Sequence, residues 1–85
     1  MTLRIGHLAF DHVVYDDRHD VLYLSIGEPQ AAADSFATTE GHVLRYDVAG
    51  EIIGLTIVNA KWLSERGGVE IPIHVDPERL ADALT

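Results

Sequence analysis

Two stretches of this chain, Val13 to Ile26 and Leu44 to Ile57, share one pattern. Each has β-branched and aromatic residues, a short polar turn, and a second arm whose apolar residues recur at alternate positions. In the first, Asp16-Asp17-Arg18-His19-Asp20 is the turn, with Leu22, Leu24 and Ile26 on one strand face and Val21, Tyr23 and Ser25 on the other. In the second, Asp47-Val48-Ala49-Gly50 is the turn, with Gly50 where a positive φ is wanted. Ile53, Leu55 and Ile57 then share one face, and Ile52, Gly54, Thr56 and Val58 the other. The Leu22 and Ile53 faces are expected to pack together as core. Laid side by side without a gap, Tyr15-Asp16 matches Tyr46-Asp47 and Leu24 matches Leu55, while Gly54 stands where the first hairpin has Tyr23. Shared ancestry and independent use of the same turn rules both account for the match.

The rest of the chain supplies the covering elements. The connection from Gly27 to His42 is long for structureless chain, so part of it is expected to be ordered. Ser35 to Thr39 has β character and Ala31-Ala32-Ala33 suits a helical turn, the strand being preferred. Asn59 is placed to cap a short helix over AKWLSER, anchored by Trp62 and Leu63 and stopped by Gly67-Gly68. VEIPIHV reads as one further strand, confined to a sheet edge by Pro72. Asp76-Pro77-Glu78 opens a helix that aligns Leu80, Ala81 and Leu84. The expected fold is α+β: an antiparallel sheet of about four to six strands made of two similar β-hairpins plus an edge strand, packed by a C-terminal helix. It forms a single domain over residues 1–85, with the double hairpin in 13–60 and the short helix, edge strand and C-terminal helix in 61–85.

Size and charge narrow the partners. A chain of 85 residues buries only about 60–65% of its unfolded surface. With no cysteine and no clustered metal ligands, association with a second copy is the expected extra source of stability. Six basic against 14 acidic residues give a formal charge of −8, which repels phosphate backbones and anionic lipid and suits a basic protein partner. No nucleic-acid or membrane partner is expected. No apolar run approaches the roughly 20 residues of a membrane helix, and residues 1–10 lack a signal-peptide layout, so a cytoplasmic location is expected.

The run Tyr15-Asp16, Asp20, Leu22-Tyr23-Leu24, then Tyr46-Asp47, Gly50, Ile52-Ile53-Gly54-Leu55 and Ile57 resembles the bacterial family called domain of unknown function 2283, over about Val13 to Ala60. The resemblance implies a small protein of β-hairpins plus a helix, with no established activity and no catalytic residues to carry over. The chain departs from that pattern at Thr56, where the family often has an acid, and in its extra segment from Val69 to Leu84.

Asp16, Asp17 and Asp20 read as turn residues in preference to a cation site, since no EF-hand spacing is present. None of His7, His12, His19, His42 and His74 has ligand spacing, and no nucleophile elbow or phosphate loop occurs. No cofactor and no metal are expected. Asp16, His42 and Asp47 remain the polar-site candidates, and Tyr23, Gly54, Trp62 and Pro72 the interface candidates. Gly54 is the sharpest of these, because a glycine inside a strand marks a bulge, a niche filled by Tyr23, Trp62 or Tyr46, or close approach of another chain. The expected function is a non-enzymatic, homodimeric interaction or regulatory module, with a toxin-neutralising role fitting its size and charge. The competing reading is a small-ligand-binding protein or minor hydrolytic enzyme with a pocket near the hairpin turns.

Overall fold

The alternating runs of the two central hairpins form strands that pair within one sheet. The computed structural model describes residues 2–28, 30–71 and 73–84. The elements, in chain order, are β1 (Leu3–Ile5), β2 (Leu8–Phe10), β3 (His12–Asp16), β4 (Val21–Ser25), β5 (Asp34–Ala37), β6 (Val43–Tyr46), β7 (Ile52–Val58), α1 (Ala60–Ser64), β8 (Val69–Ile71), β9 (Ile73–Val75) and α2 (Pro77–Ala83). A five-stranded antiparallel sheet runs β3-β4-β7-β6-β5, flanked by the two-stranded hairpins β1-β2 and β8-β9. The fold is α+β, with the double hairpin at its centre and the preferred strand present as β5.

The hairpins join through their second arms, with Leu24 opposite Leu55. These are the two residues that match in the gap-free alignment, so a local pseudo-twofold relates the hairpins through that pair. Leu22, Leu24, Leu44, Leu55 and Ile57 fill one face and are buried. On that side lie Ala60, Val75, Leu80 and Ala83 from the C-terminal elements, together with Leu3, Ile5, Leu8 and Phe10 from the N-terminal hairpin.

Four local expectations are corrected. Ile53 does not continue the Leu55 face. Tyr46 pairs with Ile52 while Arg45 pairs with Gly54, so Ile53 is the extra residue of a β-bulge. Ile52 consequently packs on the core, and Ile53 faces a concavity on the opposite side of the sheet. VEIPIHV is not one edge strand: β8 and β9 fold back on each other, Glu70 opposite His74, away from the main sheet. Pro72 itself lies outside the described residues. Asn59 does not cap α1 with its side chain; it adopts a left-handed conformation with φ 57° and makes no side-chain cap bond. Finally, Leu63 packs on the core but Trp62 does not. Trp62 is 54% exposed, with the Arg66 guanidinium 3.9 Å above its ring.

Candidate functional site

Two surfaces collect the candidate residues: the ends of the sheet, where the turns lie, and its uncovered face.

At the ends, Asp16 and Asp47 each serve their own turn. Asp16 Oδ1 accepts from the backbone N–H groups of Arg18 and His19, and Oδ2 lies 2.8 Å from His19 Nδ1. The His19 contact, assisted by backbone donors, holds the Asp16 carboxyl below the usual carboxylate range. Asp47 Oδ1 likewise accepts from the N–H groups of Ala49 and Glu51. Gly50 has the expected positive φ, 82°. Strand pairing puts Asp16 beside Val21 at one end of the sheet and Asp47 at the other. His42 shares the Asp16 end, but β4 and β7 lie between β3 and β6, roughly 14 Å at about 4.8 Å per strand. The three candidates therefore do not converge. Among the described residues, no group of three or more His, Asp or Glu side chains is placed to hold a metal ion.

His42 is 2% exposed. Its Nδ1 accepts the Val58 N–H at 3.1 Å, which requires that nitrogen to be unprotonated. Burial holds its pKa below the ordinary 6.5, with Glu40 pulling weakly the other way. The neutral ring is thus a structural acceptor locking β7 to the start of β6. Because the unfolded chain takes the proton first, stability is full above about 6.5 and falls as pH drops toward the lowered folded value. Denaturant melts at stepped pH are expected to show this decline, and His42→Asn, which keeps an acceptor but does not titrate, to flatten it in that window.

Asp20 has the longest reach of the turn acids. It adopts φ 55°, accepts the Tyr15 hydroxyl at 2.7 Å on Oδ1, and on the same atom accepts the Lys61 N–H at 2.8 Å. Its carbonyl accepts the Ala60 N–H at 3.2 Å. Asp20 therefore caps α1 from a hairpin turn 41 residues distant, and its carboxylate pushes the Tyr15 phenol up to about 12.

The second surface is the sheet face turned away from the core. Pairing places Val14, Tyr23, Thr56 and Val43 in one row across it, Val21 and Val58 on the side of the β3-β4 turn, and His12, Ser25, Gly54, Arg45 and Ser35 on the other side. Val14 is 61% and Tyr23 43% exposed. Arg45 is the pseudo-symmetric counterpart of Val14, as Gly54 is of Tyr23. In the first hairpin a valine faces a tyrosine; in the second an arginine faces a glycine. The niche at Gly54 is occupied by the Arg45 guanidinium, not by Tyr23, Trp62 or Tyr46. A methyl group on Gly54 would lie 2.6 Å from Nε and 2.7 Å from Cζ. Ile26, Glu28 and Gln30 edge this ground, and with Tyr23, Ser25, Arg45 and Ile53 they line a concavity of about 250 Å³.

The chain matches Protein of unknown function (DUF2283) over residues 12–61, and it belongs to that family. No curated protein and no solved structure matches it. No helix among the described residues is long and apolar enough to cross a membrane.

Proposed function

We propose that this chain is a non-enzymatic protein-interaction module that works as a homodimer, the second copy docking on the uncovered sheet face. One observation carries the reading: apolar residues from α1, α2 and both small hairpins join the core on one side of the sheet, while among the described residues no element covers the Val14-Tyr23-Thr56-Val43 row on the other side. Charge argues for a second copy as the occupant. Each chain carries −8, yet the outward strand positions of the main sheet include one acid, Asp16 at a corner, and one cation, Arg45. Two copies meeting here keep nearly all their carboxylates in water. The acidic remainder of the surface then suits a basic protein, consistent with a regulatory or neutralising role.

Sedimentation equilibrium at tens of micromolar is expected to give twice the chain mass. Added salt should tighten the dimer, since it screens repulsion between like-charged copies. Val14→Lys is expected to give a monomer, whereas Val48→Lys, on the exposed β6-β7 turn, leaves the dimer intact. A single-chain mass for the unaltered protein at that concentration overturns the proposal.

A further inference from the structure

The geometry points to a second function for the outer face: we propose that the Arg45–Gly54 niche binds a small monocarboxylate, with its charged end on the guanidinium and its short apolar part against Ile26 and Ile53.

Three independent features carry this. The first is an unanswered charge. Among the described residues, Arg45 has no ion-pair partner, and its Nε is a buried nitrogen without a hydrogen-bond acceptor. An enclosed guanidinium donor left unpaired is costly, and a carboxylate is the group whose two oxygens match its planar fork. Fourteen acidic residues are present in the chain, so the missing pair is not explained by a shortage of carboxylates.

The second feature is the seat. The guanidinium lies in the space a side chain at position 54 would take, and the pseudo-symmetric position in the first hairpin holds the Tyr23 ring instead. A glycine inside a strand weakens it; here the space it opens seats a cation against the sheet.

The third is the lining. Tyr23 and Ser25 bring hydroxyl groups and Gln30 an amide to the concavity, Ile26 and Ile53 bring apolar surface, and the volume of about 250 Å³ admits a short-chain acid. Ile53 reaches this side because of the bulge. Glu28 also lines the concavity, and its carboxylate opposes a second negative charge on the ligand. The chemistry thus selects a monoanion with an apolar tail over a phosphate, which carries more than one charge at neutral pH.

The test is a titration followed by amide and arginine Nε–H resonances, using isovalerate, its neutral amide isovaleramide, and inorganic phosphate as probes. Isovalerate is expected to shift Ser25, Gly54 and Arg45 saturably, and to bind at least about tenfold more tightly than isovaleramide, the difference made by about 1.4 kcal/mol. Arg45→Met should abolish the shifts, and Glu28→Gln should strengthen phosphate. Gly54→Ala should keep the folded spectrum, because its methyl displaces only the end of a flexible side chain, yet lose isovalerate binding. Isovaleramide equal to isovalerate, shifts that survive in Arg45→Met, or phosphate binding as tightly as isovalerate to the unaltered chain would each overturn the proposal. Repeating the titration in Val14→Lys separates it from the dimer: a monomer that still binds isovalerate supports the niche while leaving the dimer to the mass measurement.

Discussion

Replacing Phe10 by alanine is expected to leave the chain largely unfolded at physiological temperature. Phe10 is 0% exposed and sits in the same cluster as Leu22, Leu24, Leu55 and Leu80. Removing a buried phenyl ring costs about 3–5 kcal/mol, the lost transfer energy plus the cavity left behind. Domains of this size have roughly 4–13 kcal/mol in total, so one substitution removes a large share. Urea melts followed by far-ultraviolet circular dichroism check it, with Phe10→Leu expected to lose far less. A midpoint for Phe10→Ala close to that of the unaltered chain would mean that β1 and β2 do not belong to the cooperative core.

The second large effect is expected at Asp20. Asp20→Ala removes the acceptor of the Tyr15 hydroxyl and of the Lys61 N–H, and puts a β-carbon with no compensating polar group at φ 55°. Loss of a helix cap, loss of a partly buried hydrogen bond and the left-handed backbone together amount to about 2–4 kcal/mol. Asp20→Asn keeps an oxygen acceptor and tolerates the backbone, so it should lose about 1 kcal/mol or less. An absorbance titration gives a second readout: without the Asp20 carboxylate, the Tyr15 phenol should fall from about 12 toward the ordinary 10. Equal stability of the Ala and Asn variants would contradict the capping role.

Both residues show what the sequence makes legible. The central hairpins are plain in it because period-2 alternation and turn chemistry are local, and Asp47 and Gly50 behave as their types require. The N-terminal hairpin carries the same kind of signal, Leu3 and Ile5 against Leu8 and Phe10 around Gly6-His7, with Ile5 opposite Leu8. Read only for a signal peptide, that segment hides the hairpin. Asp20 is different, because its partner Lys61 is adjacent only after β4 pairs with β7, so no spacing in the chain reveals the cap. The same holds for His42, whose acceptor role depends on where the end of β7 arrives.

VEIPIHV and Ile53 fail for another reason. Alternation in VEIPIHV is the same whether the segment runs straight or folds back as β8 against β9, so the pattern cannot separate one strand from two. A bulge inverts the facing of the residue it inserts, and that depends on pairing between β6 and β7, which neither strand encodes alone. The Tyr23 and Gly54 contrast was visible in the alignment. The occupant of the gap was not, because Arg45 reaches it across the ladder.

The open outer face is the centre of the functional account, and a cysteine-free chain makes it directly measurable. Thr56, in the middle of that face, is changed to cysteine and carries a single nitroxide, and dipolar coupling is recorded in frozen solution at tens of micromolar. Docking of two copies through this face predicts one short inter-copy distance, set by sheets packed about 10 Å apart plus the reach of the two labels. Labels with no coupling between copies would contradict it.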